Sequence, residues 1–332
     1  MKRLIFFYFT LIMVFYNNSV VCQKISPFAF EVRKSKLGLS EINLQRISVM
    51  QLEFTGKRYQ PKIIKNRLYL VPGVSIAGMA GVYAAFIKPW WSGEKQGFRI
   101  KFDWINNYWL EMDKLGHFYS NIQATRLSAA MFQFAGVSRK KALWIGFANS
   151  TLLYTAFELT DAGFADWGFS VPDVVANLLG AFYPIAQEYY PLLKHFNFKM
   201  SYAPSKFFQN PDVADTPGFI NYHPHQYLVG DYDGMKYWLS TDVNWMLPSN
   251  LKSVWPDWLN IAGGYSAYNL PQANHAIKER RFYISLDCNL EKLPGNSSFL
   301  KTLKSILNTI HLPAPAVHFS SHGRIKFYWL NY

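Results

Sequence analysis

The sequence predicts an α+β protein, in which a compact helical bundle precedes a strand-rich C-terminal region. Apolar stretches of helical length fill residues 66–194, whereas alternation of apolar and polar residues with a period of two begins after residue 195. Half of the 332 residues are hydrophobic, which is enough to bury a sizeable core. We expect four parts: a signal peptide at 1–22, a lead-in at 23–65, a helical core at 66–194 and the strand-rich region at 195–332.

The N-terminus is typical of an export signal. Lys2 and Arg3 precede an uncharged apolar run over 4–16, which is too short to cross a bilayer of about 30 Å. Cleavage after Cys22 is expected, and lipidation of Cys22 is the alternative, although the residues before it form a poor lipidation motif. Only Cys288 then remains, so no internal disulfide is expected. This pattern predicts a protein of the bacterial cell envelope, located at the outer membrane or at a periplasm-facing membrane.

The composition points to an anionic, membrane-associated partner. The formal net charge is +13, aromatic residues make up 18% of the chain, and charged residues make up only 17%, against about 25% in average proteins. A basic protein attracts polyanions, and the export signal favours lipid head groups over nucleic acid. We therefore expect membrane lipid or an anionic envelope glycolipid as partner, with an envelope protein as a further candidate and no nucleic acid.

Four helical segments are predicted in the core. Residues 68–87 form a run of 20 uncharged residues that is long enough to span a membrane, with Pro72 in its first turn. The next three segments, 113–134, 142–159 and 171–190, are amphipathic or interrupted by charge. They indicate a bundle that is either embedded in a membrane or folded on one.

Strands are predicted after residue 195. In the clearest of them, Phe282, Ile284 and Leu286 alternate with polar residues, which is typical of a half-buried strand. Asp233-Gly234 is a predicted hairpin turn, and the final strand ends in an aromatic residue, as outer-membrane barrels commonly do. The five to seven expected strands favour a partial antiparallel sheet over a barrel-like closure. The predicted strand segments are 196–202, 227–243, 259–268, 281–290 and 316–332, with one helix over 298–310.

Ionisable and polar residues interrupt the apolar helices. Asp113 and His117 lie four residues apart and share a helix face, as do Asp173 and Asn177. Glu158 ends an apolar run, where an unpaired charge is costly to bury. The polar cluster predicted from the sequence comprises Asp113, Lys114, His117, Glu158, Asp161, Asp166, Ser170, Asp173 and Asn177.

Two kinds of chemistry would suit this cluster. Asp113, His117 and Glu158 are candidates for general acid–base catalysis. His117, Glu158 and Asp161 are candidate ligands of a divalent metal ion, because imidazole and carboxylates suit Zn, Mn or Fe. A second pair, His223 and His225, is a weaker metal candidate.

A structural interpretation stands beside the chemical one. Asp113 would cap its helix, Ser170 and Asp173 would form a capping box, and Lys114 would pair with a carboxylate. The whole cluster would then lock the helices together as a buried polar network. Glu158 and Asn177 have no such local explanation.

Three motifs carry a resemblance to a known family. Asp113-Lys-Leu-Gly-His-Phe118, Glu158-Leu-Thr-Asp161 and Phe169-Ser-Val-Pro-Asp-Val-Val-Ala-Asn-Leu-Leu-Gly180 resemble the uncharacterised family of predicted periplasmic lipoproteins (YfiM-like) and, more distantly, VanZ-like membrane proteins. The resemblance covers about residues 105–190. It implies an envelope location and a helical core with these residues at its motif positions, and it brings no biochemical activity.

Three functions follow as hypotheses, and enzymatic activity is left open. The first is an envelope protein with a structural or interaction role, in which the polar cluster supports the fold. The second is a membrane-associated hydrolase acting on a lipid or cell-wall substrate, with or without a metal. The third is a small outer-membrane, barrel-like protein.

Overall fold

The computed structural model describes residues 62–84, 91, 94–105, 108–165, 167–206, 230–270 and 277–331. The predicted signal peptide, Cys22, nearly all of the lead-in, Asp166 and the pair of His223 and His225 lie outside these residues. The described chain is helical first and then strand-rich, so the predicted α+β class is confirmed.

Four helices form the first part of the molecule. They are α1 (Lys65–Val82), α2 (Met112–Phe134), α3 (Arg139–Asp161) and α4 (Val171–Tyr189). The last three agree with the predicted segments to within a few residues. Helix α1 begins at Lys65, ahead of the apolar run, so Pro72 lies inside the helix and not in its first turn, which corrects the prediction. The early start has a physical reason, because Arg67 donates to the carbonyl oxygen of Phe134 and lies over its ring.

Within the described part of the chain, no helix combines the length and hydropathy needed to cross a membrane.

Helices α2, α3 and α4 pack closely because glycines lie at their contacts. A Cβ atom on Gly180 of α4 would come within 2.1 Å of the Phe118 carbonyl oxygen on α2, and one on Gly146 of α3 within 2.5 Å of the Thr125 carbonyl oxygen. These approaches bring the three helix axes together. The polar side chains on the facing surfaces are consequently within hydrogen-bond reach.

The second part of the molecule is an open antiparallel sheet of six strands, paired in chain order. The strands are β3 (Phe196–Tyr202), β4 (Met235–Thr241), β5 (Leu259–Tyr268), β6 (Glu279–Cys288), β7 (Ala314–Ser320) and β8 (Ile325–Asn331). Two short strands in the helical part, β1 (Ile100–Lys101) and β2 (Phe169–Ser170), pair in parallel. A single-turn helix α5 (Ser249–Lys252) and a longer helix α6 (Ser298–Leu307) connect strands of the main sheet. The described strands form the predicted partial sheet and not a closed barrel.

The predicted hairpin at Asp233-Gly234 is wrong for the residues that the structure describes. Tyr232–Gly234 is a short 3-10 turn that leads into β4, whose neighbours are β3 and β5. The Asp233 carboxylate accepts the backbone N–H groups of Asn269 and Leu270, so it fastens the end of β5 instead of turning a hairpin.

The sheet buries its polar face. On β6, Tyr283, Ser285 and Asp287 are buried, whereas Phe282, Ile284 and Leu286 are exposed. Asp287 pairs with the fully buried Lys199 at 2.7 Å and accepts a hydrogen bond from Ser240. Lys199 also donates to Asn308, just after α6. Cys288, the last residue of β6, is half-buried.

Tyrosines join the helical part to the sheet. Tyr119 of α2 donates to the carbonyl oxygen of Thr309 at 2.9 Å, and Tyr265 of β5 donates to that of Leu110 at 2.7 Å. Glu111, just before α2, pairs with Arg280 of β6 at 2.9 Å. The two parts therefore share one interface, which lies close to the start of α2.

Candidate functional site

The polar residues of the core converge where three helix ends meet. Ser170 caps α4, because its Oγ accepts the N–H of Asp173 at 3.3 Å, and this fixes Asp173 in the first turn. The parallel pairing of β1 with β2 carries Asp103 alongside, where it accepts a hydrogen bond from Ser170 Oγ at 2.9 Å. His117 comes from the first turns of α2, and Glu158 from the last turn of α3.

Lys114 is the centre of one half of the cluster, which we call the lysine knot: Lys114, Asp103, Asp113 and Asp173. Its Nζ lies 2.9 Å from Asp103, 2.8 Å from Asp113 and 3.1 Å from Asp173. Burial alone would lower the pKa of Lys114, but the carboxylates of Asp113 and Asp173 raise it above its usual range. Burial, reinforced by Asp173, raises the pKa of Asp113. Burial opposes ionisation of Asp103, yet the hydrogen bond from Lys114 lowers the pKa of that carboxyl.

His117 and Glu158 form the other half of the cluster. The Nδ1 of His117 lies 3.0 Å from Asn177 Oδ1, an atom that also accepts a hydrogen bond from Asn121. The Nε2 of His117 lies 3.7 Å from Glu158 Oε1, which is longer than a hydrogen bond. Ser170 donates its backbone N–H to the other oxygen of Glu158, Oε2, at 3.2 Å.

Glu158 is buried in the site, and the described residues leave one of its carboxyl oxygens unsatisfied. Its residue is 1% exposed, and Oε1 has no hydrogen-bond partner among the described residues. Burial, followed by the negative charges of Asp173 and Asp161, raises the pKa of Glu158 to about 8. Burial is the largest cause of this shift, and the neighbouring carboxylates add to it.

Three of these side chains have the geometry of a cation site. One ligand atom each from His117, Glu158 and Asp173 lies within 4.8 Å of the others. The sequence nominated Asp161 in place of Asp173. The structure sets Asp161 apart, since it accepts a hydrogen bond from Trp91 Nε1 at 2.6 Å and burial raises its pKa.

The cluster is reachable from outside. The His117 side chain is 24% exposed, and that of Asp103 is 31% exposed. Phe102 and Trp104, which flank Asp103 in the chain, are exposed apolar residues, and so is Phe98 at the start of the same segment.

Sequence reasoning missed three members of the site. Asp103 lies in the loop after β1, in a segment without a helix pattern, and its role depends on the β1–β2 pairing. Trp91 is distant in sequence from the Asp161 that it contacts. Asn121 follows His117 by four residues on the same face, so helical spacing could have nominated it.

The comparisons with known proteins concern the same helices. Residues 104–186 match the family model described as "Predicted periplasmic lipoprotein (DUF2279)", over about a quarter of the chain. No curated protein and no solved structure matches the chain, and the distant VanZ-like resemblance has no counterpart in these comparisons. The matched segment contains α2, α3 and nearly all of α4, and with them the lysine knot except Asp103. The helical core is thus similar to the predicted periplasmic lipoproteins, in agreement with an exported protein associated with the cell envelope.

Proposed function

We propose that this envelope protein binds a divalent cation in its helical core through His117, Glu158 and Asp173. One observation carries the proposal: a carboxylate oxygen, Glu158 Oε1, is buried without a hydrogen-bond partner among the described residues and faces His117. An unpaired carboxyl group in the interior is costly. A cation between it and the imidazole would satisfy both groups.

The charges around the site support a cation over a further hydrogen bond. Lys114 is already shared among the three carboxylates of the lysine knot. Glu158 and Asp161 are two further acidic side chains near the lysine knot, and neither belongs to it. Imidazole with carboxylates is a ligand set that Zn²⁺ and Mn²⁺ accept.

The lysine knot supports a different part of the function. Its three carboxylates come from α2, from the start of α4 and from the loop after β1, so Lys114 fastens these segments to each other. This is the structural role that the sequence suggested for the cluster. In our proposal the knot positions Asp173 as a ligand beside His117 and Glu158.

A membrane-associated hydrolase is the second candidate function. The partial exposure of His117 and the exposed apolar residues Phe98, Phe102 and Trp104 in the segment around Asp103 favour it, because both features suit an amphiphilic substrate. A bound cation would polarise an ester or phosphoryl oxygen and activate water.

Calorimetric titration of the purified full chain with Zn²⁺ and Mn²⁺ tests the first candidate. We expect one site per chain, and Glu158→Gln should lose at least the roughly tenfold in affinity that even outer-shell substitutions cost. Asp161→Asn is the matched control, because it removes a neighbouring half-buried acid outside the trio and should keep the site.

Circular dichroism of each variant separates binding from folding. A folded parent that binds no cation, or equal affinities in Glu158→Gln and Asp161→Asn, would refute the cation site. Cation-dependent cleavage of a phosphate ester or carboxylic ester, abolished in folded His117→Gln, would support the hydrolase. Binding without cleavage would leave a cation-binding envelope protein.

A further inference from the structure

The exposed stripe of α3 carries no charge over most of its length. Exposed positions recur along one side of this 23-residue helix, which is about 34 Å long, and after Lys141 all of them are uncharged. Leu152 is 70% exposed there. A surface helix normally places charged residues on its outer side, so this stripe is unusual for a helix that faces water. The stripe comprises Trp144, Ala148, Leu152, Ala156 and Leu159, and the polar residue Asn149 is exposed beside it.

Helix α4 extends the same apolar surface. Leu178, Leu179, Phe182 and Tyr189 are exposed on it. The two stripes are adjacent, because the ring centroids of Trp144 and Phe182 lie 6.2 Å apart. An apolar surface that covers two neighbouring helices is unusual for a free protein face.

The acidic residues of α3 and α4 avoid this surface. Glu158 and Asp173 are buried, and Asp161 and Glu188 are half-buried. At the opposite end of α3, Lys140 and Lys141 are exposed, and the amine of Lys140 lies 5.0 Å from the centroid of the Tyr189 ring. One end of the apolar surface is therefore positively charged and aromatic.

We propose that the exposed face of α3 and α4 docks on the surface of an anionic lipid bilayer. Leu152, Leu178 and Leu179 would enter the apolar layer, while Trp144 and Tyr189 would lie at the boundary, where amphipathic rings are favoured. Lys140 and Lys141 would meet lipid phosphates, each contributing about 1 kcal/mol. The net charge of +13 acts in the same direction. The proposal is independent of the cation site, because none of these residues belongs to it.

Flotation of the purified full chain with vesicles tests the charge component. We expect stronger binding to phosphatidylcholine vesicles that contain phosphatidylglycerol than to phosphatidylcholine alone. Lys140→Gln combined with Lys141→Gln should weaken binding to the anionic vesicles by about tenfold to thirtyfold. The matched control replaces two exposed lysines elsewhere, Lys252 and Lys301, by glutamine and should leave binding unchanged.

Fluorescence quenching by brominated acyl chains tests which face is buried, whatever else attaches the chain to the vesicle. The difference between the parent and Trp144→Phe isolates Trp144, and we expect its emission to be quenched. Trp329, exposed on β8, is the control and should be unaffected. Leu152→Glu with Leu179→Glu should abolish quenching of Trp144, whereas Leu300→Glu on α6 should not.

Two results would overturn the proposal. The first is quenching of Trp329 without quenching of Trp144, which would assign membrane contact to the sheet. The second is a dimer in sedimentation equilibrium that Leu152→Glu with Leu179→Glu dissociates while vesicle binding stays the same. The face would then contact a second copy of the chain.

Discussion

Lys114 is one amine surrounded by three carboxyl groups, at 2.8 to 3.1 Å, and its side chain is mostly buried. The cost of dehydrating these charges is offset only while all of them are present, because an isolated buried charge is unfavourable by several kcal/mol. At the residue scale, this lysine is therefore a side chain on which the stability of the helical core depends.

Replacement of Lys114 by methionine should lower the free energy of unfolding by about 3 kcal/mol or more, because it leaves buried carboxylates without a cation. Urea denaturation measures the difference. Lys301→Met, at an exposed position of α6, is the control and should stay within about 0.5 kcal/mol of the parent. Equal effects of the two substitutions would mean that the knot is not a source of stability.

Titration of His311 makes the stability of the sheet depend on pH. It is buried and stacked on Trp238 with a centroid distance of 3.9 Å, and burial lowers its pKa to about 4. The unfolded chain binds this proton below about pH 6.5, whereas the folded chain resists it. The contribution is therefore complete above pH 6.5 and is lost as the pH falls through 4, with a size of roughly 3 kcal/mol.

The variant His311→Phe isolates this contribution, since phenylalanine keeps the stacking and cannot titrate. Urea denaturation between pH 7 and 4 should show that the parent loses about 3 kcal/mol more stability than the variant. Parallel curves for the two proteins would contradict the assignment to His311.

The chemistry of single residues was enough to nominate the site residues from the sequence. It was not enough to predict which of them contact each other. Glu158 and Asn177 were nominated because polar groups are costly inside apolar helices, and both are buried in the site. The sequence nominated Asp161 as a ligand with His117 and Glu158, whereas the structure groups Asp173 with them. Which aspartate lies near His117 depends on how α3 and α4 cross, and residue spacing within one helix does not encode this.

At the scale of elements, glycine decides how closely the helices approach. The Cα of Gly180 lies against the backbone at Phe118, where any side chain would collide with a carbonyl group. The glycine Gly73 of α1 has no atom within 4 Å of an added Cβ. The two residues have the same local preference, and their surroundings differ.

These surroundings predict opposite effects of the same substitution. Gly180→Ala should destabilise the protein by about 1–3 kcal/mol, because overpacking forces α2 and α4 apart. Gly73→Ala should stabilise it by roughly 0.4–1 kcal/mol, because alanine loses less backbone entropy. Thermal unfolding of both variants tests the pair, and a loss of stability in Gly73→Ala would show that the environment of α1 is more crowded than described.

The bounds of α2, α3 and α4 followed from the sequence, whereas the start of α1 and the direction of the sheet faces did not. Periodicity is a local property, and α2, α3 and α4 begin and end near the predicted residues. In β6 the period of two identified a strand, but its polar side faces inward because Lys199 and Ser240 pair with Asp287 there. Which face is buried depends on strands distant in sequence.

At the scale of the whole molecule, the tyrosine contacts make the helices and the sheet dependent on each other. Tyr119 reaches from α2 to Thr309, and Tyr265 reaches from β5 to Leu110. Separation of the two parts would expose the buried ring of Tyr237 and the side of α2 that carries Gly116. We therefore expect one cooperative unit.

Hydrogen exchange followed by mass spectrometry tests this unit. The slowest amides of α2 and of β5 should open with the same free energy. Tyr119→Phe removes the hydrogen bond to Thr309 and should lower both values together by about 1 kcal/mol. Tyr190→Phe, at an exposed ring, is the control. Different opening energies in α2 and β5 would show two independent units.

The open sheet also affects how the protein behaves during storage. Strand β8 is an end strand whose outer side pairs with no strand in the described ranges, and Ile325, Phe327 and Trp329 are exposed on it. Such an edge is a template on which another extended chain can grow. Concentrated solutions should therefore form fibrous aggregates during storage, at a rate that rises with protein concentration and storage time.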